Sequence, residues 1–259
     1  MYKSILVISI SILSFVFAAE WIGITNENPT PSQAIILSGS ESETTIEFTL
    51  DGFWKNRSSL GETGGYILEL EEGTPLLEVT APDVQKLSTS IIIPDFNNME
   101  VEVLDFEYVD FDHYSVAPSK GNLTRDIDPS SVPFVFGDVY NQDQFYPGSL
   151  AELGSPYIIR DFRGQAVQVF PLQFNPVTQS LRVYTSITVH VYATDEIGEN
   201  PLNRQEELQS MNSEYKSIYQ HHFNNYNNFV NNRYNILDEE GSMLIISYSS
   251  FMDDLLPLV

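Results

Sequence analysis

The sequence predicts a mainly β protein: an antiparallel, two-sheet, sandwich-like domain with a C-terminal helix, followed by the first strand–helix unit of an α/β domain. Three observations predict it. Over residues 181–193, Leu181, Val183, Ile187, Val189, Val191 and Ala193 alternate with Tyr184, Ser186, Thr188, His190 and Tyr192. So long a strand with one apolar face needs a second layer to cover that face. After Pro201 the apolar period changes from two to three or four, which marks an amphipathic helix over residues 203–225. Finally, Met243, Leu244, Ile245 and Ile246 read as a buried strand, and Ser249, Ser250, Phe251 and Met252 as the start of a helix.

The N-terminus predicts export. Lys3 precedes an apolar run over residues 5–17 broken only by Ser9, Ser11 and Ser14, and Ala18 and Ala19 follow. A basic start, an apolar stretch too short to span a bilayer and a small-residue cleavage site describe a signal peptide cut after Ala18 or Ala19. The mature form is then expected outside the cell or on a bacterial cell surface, with no membrane-spanning segment.

From Trp21 onward the pattern is β. Residues 34–37 are apolar, and over 44–50 Ile46, Phe48 and Leu50 oppose Thr45, Glu47 and Thr49. Strand candidates follow at 66–70, 76–80 and 90–93, the last stopped by Pro94. Along 99–111, Met99, Val101 and Val103 share a face, and Leu104, Phe106 and Tyr108 then resume the alternation one residue out of phase. One extra residue in a ladder does this, so a β-bulge is expected near Val103 and Leu104. The acids Glu100, Glu102, Asp105, Glu107, Asp110 and Asp112 then lie on the wet side.

Residues 115–133 form a loop with Pro118, Gly121, Pro129 and Pro133, the basic residues Lys120 and Arg125, and no apolar periodicity. Residues 157–160 read as a strand turned at Arg163 and Gly164, and 166–174 as the next strand. Asn175 and Pro176 open a turn into the long strand at 181. On the helix, Leu208, Met211, Tyr215, Ile218, His222, Tyr226 and Phe229 form the apolar stripe. Its Asn-rich end is expected to fray, because asparagine side chains compete for backbone hydrogen bonds.

Composition removes several functions. A formal charge of −24 opposes binding to nucleic acid, which needs clustered Lys and Arg, and to anionic lipid. With no cysteine there is no disulfide, thiolate metal site or cysteine nucleophile in these residues. The four histidines, His113, His190, His221 and His222, lie in no zinc-protease motif and beside no serine-nucleophile elbow. No cofactor is expected. The acidic residues 105–112 and the pair Asp126 and Asp128 leave two readings: a calcium site of carboxylate oxygens, or a solvated face, since no Ca²⁺ loop with a glycine at its bend is present.

Arg233 stands out among only 12 Lys and Arg residues, because it sits between the predicted helix and the predicted new strand. Exposed basic residues in linkers are where trypsin-like cleavage falls.

Residues 156–164 (PYIIRDFRG), 171–178 (PLQFNPVT) and 181–189 (LRVYTSITV) together resemble the N-terminal propeptide of gingipain-like, family C25, cysteine peptidases. Tyr219, His222, Phe223, Asn225, Tyr226, Arg233 and Tyr234 are similar to that propeptide's end, and residues 243–259 to the first strand and helix of its peptidase domain. The resemblance implies a secreted zymogen. Its β-rich propeptide would assist folding of its own peptidase domain, inhibit it through a loop, and be removed at a basic residue, here Arg233, leaving Tyr234 as the new N-terminus. Lys120 or Arg125 is the expected inhibitory residue, chosen on loop character and charge. The remainder would be a caspase-like α/β enzyme with a His–Cys pair; no catalytic position falls within this chain. The resulting division is a signal peptide at 1–19, the β domain at 20–200, helix and processing linker at 201–233, and the start of a peptidase domain at 234–259. The competing reading is a non-enzymatic secreted sandwich used for adhesion or scaffolding.

Overall fold

The computed structural model describes residues 19–40, 42–58, 65–203 and 213–229. The expected signal segment with Ala18, the expected processing pair Arg233 and Tyr234, and the strand and helix expected over 243–259 lie outside the described residues.

The strands, in chain order, are β1 (Glu20–Gly23), β2 (Gln33–Gly39), β3 (Glu43–Thr49), β4 (Gly52–Arg57), β5 (Tyr66–Glu69), β6 (Thr74–Pro75), β7 (Gln85–Ile92), β8 (Asn97–Phe111), β9 (Ala151–Leu153), β10 (Tyr157–Ile159), β11 (Phe162–Val169), β12 (Leu172–Asn175) and β13 (Ser180–Ile197). Two helices follow, α1 (Ser213–His222) and α2 (Tyr226–Phe229). Every pairing between these strands is antiparallel. The mainly β class with a C-terminal helix is therefore observed.

Two five-stranded sheets make the sandwich. One runs β10-β11-β7-β6 with β9 also on β11; the other runs β12-β13-β3-β2 with β8 also on β13. A third, three-stranded sheet, β1-β4-β5, joins them. The long strand β13 organises its sheet: β8 follows one edge, while β12 and β3 share the other. The alternation along β13 puts Leu181, Val183, Ile187, Val189 and Val191 in the core. They meet Leu87, Ile91, Val167 and Val169 of the facing sheet and Phe53 and Leu68 of the small one. Each such side chain contributes roughly 1.5–3 kcal/mol on burial, so a core this size needs no disulfide.

The bulge is present. Thr188 pairs with Asp105 and Val189 with Val103, which leaves Leu104 as the extra residue of β8. A second irregularity, between Tyr184 and Ser186, makes Thr185 the extra residue of β13. The side chains beyond the first bulge are not buried as the alternation implied. Leu104, Phe106 and Tyr108 remain exposed at the open edge, where Phe106 and Tyr108 pack on the Tyr184 ring.

Three local expectations are corrected. The run 166–174 is not one strand. It breaks at Phe170 and Pro171, where proline cannot continue a ladder, and the chain crosses from β11 in one sheet to β12 in the other. The turn after β10 lies at Arg160 and Asp161, with Arg160 at φ 43°, whereas Gly164 sits inside the ladder opposite Tyr157. A Cβ on Gly164 would stand 2.4 Å from Phe223 Cε1, so this glycine permits close approach of the helix rather than a turn. None of residues 76–80 forms a strand: the two-residue β6 ends before them at Pro75, and Leu77 and Val79 are exposed in a loop with Leu77 and Thr80 at positive φ.

Candidate functional site

Two features stand apart from the sheets: the loop after β8 and the anchored C-terminal helices.

The loop is held by backbone bonds to the neighbouring segment. Thr80 N–H donates to the Ser119 carbonyl at 3.0 Å, Ser119 N–H to Ala81 at 2.7 Å and Gly137 N–H to Thr80 at 3.0 Å. Gly121 takes φ +77°, and a Cβ there would stand 2.4 Å from Val79 Cγ2, so the loop base lies flat on Val79. Within the loop, Ile127 N–H donates to the Thr124 carbonyl at 3.0 Å and closes a turn with Arg125 and Asp126 at its corners. Asp128 then starts a short 3₁₀ turn, Pro129–Ser131, by accepting from Ser130 N–H at 2.9 Å. The Thr124 hydroxyl holds the Asp126 carboxyl below the usual carboxylate range, and the Ser130 N–H does the same to Asp128.

Lys120 and Arg125, the two residues singled out from the sequence, both belong to this loop but differ in state. Lys120 Nζ donates to the Pro129 carbonyl at 2.6 Å and lies 4.1 Å from the centre of the Phe134 ring. Arg125 is exposed at the corner of the turn, and its side chain makes no hydrogen bond or ion pair among the described residues.

Residues 213–229, the described part of the C-terminal segment, are docked rather than frayed. Tyr219, Phe223 and Tyr226 pack with Ile92 and Phe162 into a second small core. Tyr219 hydroxyl donates to Asp161 at 2.7 Å, and that burial and bond push the phenol pKa up. The buried face is therefore rotated from the expected stripe: Tyr219 and Phe223 face inward, while Ile218 is exposed. The asparagines are the anchors. Asn224 N–H donates to the Ser90 carbonyl at 2.8 Å, and Asn224 Nδ2 to the Ala34 carbonyl at 2.7 Å. Asn225, 1% exposed, accepts from Ile92 N–H and donates to the Ile92 carbonyl. These bonds cover the open edge of β7 and tie it to β2 and, through Thr44, to β3. The signal for this was available in the aromatic spacing 219, 223 and 226.

Two of the four histidines, His190 and His222, are absorbed by pairing, as is Arg182. His190 lies between Glu102, 3.1 Å from Nδ1, and Glu43, 3.3 Å from Nε2. Arg182 takes Asp110 in a two-point bond at 2.8 Å and stacks over Tyr108. His222 Nε2 meets the Tyr157 hydroxyl at 2.8 Å, and burial followed by the nearby His221 lowers its pKa. Among the described residues, no group of three or more His, Asp or Glu is placed to hold a metal ion. No helix among them is long and apolar enough to cross a membrane.

The family profile described as Propeptide_C25 matches residues 25–223. The chain belongs to the C25 propeptide family. Gingipain R1 of Porphyromonas gingivalis is 34% identical over 227 residues, 87% of this chain and 22% of that protein. Gingipain R2 of Porphyromonas gingivalis strain W83 is 32% identical over 227 residues, 86% of this chain and 30% of that protein. The C25 propeptide chain thus spans less than a third of these relatives. Among solved structures, a complex of Porphyromonas gingivalis RgpB pro- and mature domains contains a chain 34% identical in sequence. The match has a TM-score of 0.68 and covers 78% of this chain and 100% of that one. A structure titled for the zymogenic latency of gingipain K, from the same organism, shares the fold at 19% identity and a TM-score of 0.56. It covers 68% of this chain and 99% of that one.

Proposed function

We propose that this C25 propeptide is the inhibitory prosegment of a secreted gingipain-type cysteine peptidase. It is exported by the signal peptide ending at Ala18 or Ala19, folds against its own peptidase domain and is removed after Arg233. One observation carries the reading: the fold covers the whole of one chain from a complex of pro- and mature domains, at 34% identity. The loop supports the inhibitory part. It presents Arg125, exposed and without a side-chain bond among the described residues, on a base held by backbone hydrogen bonds, as a residue that blocks a substrate pocket must be presented.

The test uses the chain produced from residue 20 onward, added to its cognate mature peptidase with a fluorogenic substrate. Inhibition at or below micromolar concentration is expected, and full activity in a tenfold excess ends the inhibitory reading. In the full-length precursor, Arg233→Ala is expected to accumulate unprocessed protein. Normal maturation of that variant would move the processing site elsewhere.

A further inference from the structure

Lys120 and Arg125 are not equivalent residues of one basic loop. We propose that Lys120 is a positioning residue, a clasp that closes residues 120–129 into a ring and holds Arg125 at its apex for the peptidase. The proposal rests on the inhibitory reading above.

The geometry separates the two residues. The Lys120 ammonium is already committed, to the Pro129 carbonyl at 2.6 Å and to the face of Phe134 at 4.1 Å. Entering a partner's pocket would break both contacts. Arg125 has no such contact to break among the described residues. It sits at the corner of the Thr124–Ile127 turn, exposed and midway round the ring that Lys120 closes.

Three closures are nested here. At the base, Gly121 lies on Val79 and donates its N–H to Ser119 Oγ at 3.1 Å. At the neck, Lys120 reaches Pro129 across nine positions, beside the Asp128-capped turn. At the tip, the Thr124–Ile127 bond sets the direction of Arg125. A loop ordered before binding loses less conformational entropy on binding than one that must order itself there. Lysine suits the neck because one ammonium can serve a carbonyl and an aromatic face together.

The experiment compares variants of the chain from residue 20 onward as inhibitors of the cognate mature peptidase, and follows tryptic cleavage after Arg125 by mass spectrometry. Arg125→Ala is expected to weaken inhibition by roughly 100-fold, as loss of a central anchor does. Lys120→Met is expected to weaken it roughly 5- to 10-fold, as loss of one charge-assisted bond and its ordering does, and to speed cleavage after Arg125 several-fold. Lys120→Arg keeps the charge and donor and is expected to restore most of both. If Arg125→Ala and Lys120→Met both inhibit like the parent, the inhibitory-loop reading fails. If Arg125→Ala fails to inhibit while Lys120→Met matches the parent in both assays, the clasp alone is overturned. If both Lys120 variants lose inhibition and Arg125→Ala does not, Lys120 is itself the contact and the assignment is reversed.

Discussion

Asn225 does for Ile92 what a neighbouring strand would do. Its side-chain amide accepts from the Ile92 N–H at 2.7 Å and donates to the Ile92 carbonyl at 2.9 Å. Both groups face away from β11, along the open edge of β7, and Asn225 is itself buried. Replacing it with leucine fills the space but strands two buried backbone groups. The expected cost is about 2 kcal/mol or more, from leaving buried donors and acceptors unmade. Urea unfolding followed by tyrosine fluorescence measures it. A midpoint equal to the parent's would mean that the helices dock by aromatic packing alone.

Arg163 holds the other end of the same region. Its guanidinium is fully buried and donates to the carbonyls of Pro94, Asn97, Glu199 and Asn200 at 2.6–3.1 Å. This fork joins the turn before β8 to the chain leaving β13. Desolvation lowers its pKa, and nearby Asp95 opposes that shift. Lysine cannot reproduce the planar fork with three donors on one atom. Arg163→Met is expected to cost about 3 kcal/mol, the scale of breaking a buried charged network, and Arg163→Lys to recover only part of it. Full recovery by lysine in denaturant titration would show that the charge, not the fork, is what the site needs.

How much of this was legible beforehand follows from which interactions are local. The alternation of β13 and the phase slip at Leu104 are period-two signals written in consecutive residues, and both appear in the structure. The 115–133 loop was legible from its prolines and glycine, and its two cations were visible as residues. Their difference was not. It depends on Lys120 reaching Pro129 and Phe134, a matter of side-chain geometry. Gly164 reads as a turn because glycine usually punctuates, and only the approach of Phe223 from sixty residues away shows otherwise. Asn224 and Asn225 fall inside the expected helix, at the end expected to fray; α1 instead ends at His222. What local propensity could not show is that their freed side chains meet an unpaired strand edge distant in sequence. Asn56, Arg57 and Ser58 match the N-glycosylation pattern, weak support for a surface loop, but Asn56 lies in β4 and the buried Ser58 hydroxyl donates to the Gly65 carbonyl.

Asp83 offers a test whose sign is set by burial. Its N–H donates to the Ala117 carbonyl at 2.8 Å, and Pro82 bridges Pro118, so it lies under the base of the Lys120 loop. Burial, and then the neighbouring Glu69, raise its pKa above the ordinary 3.8. The folded state therefore holds the Asp83 proton more tightly than the unfolded chain does. Stability from this group is fully present below pH 3.8, where both states are protonated, and is lost as the pH rises through the folded-state pKa. At neutral pH the ionised carboxylate thus works against the fold. Asp83→Asn removes the charge at nearly constant shape and is expected to raise the denaturation midpoint at pH 7.5. The advantage should shrink steadily as the pH is lowered toward 4. Paired urea titrations of parent and variant at several pH values measure the difference. An advantage that stays constant with pH would assign it to packing or hydrogen bonding. A variant less stable than the parent at pH 7.5 would mean that the carboxylate is held by the loop above it, and the loop base would then depend on that charge.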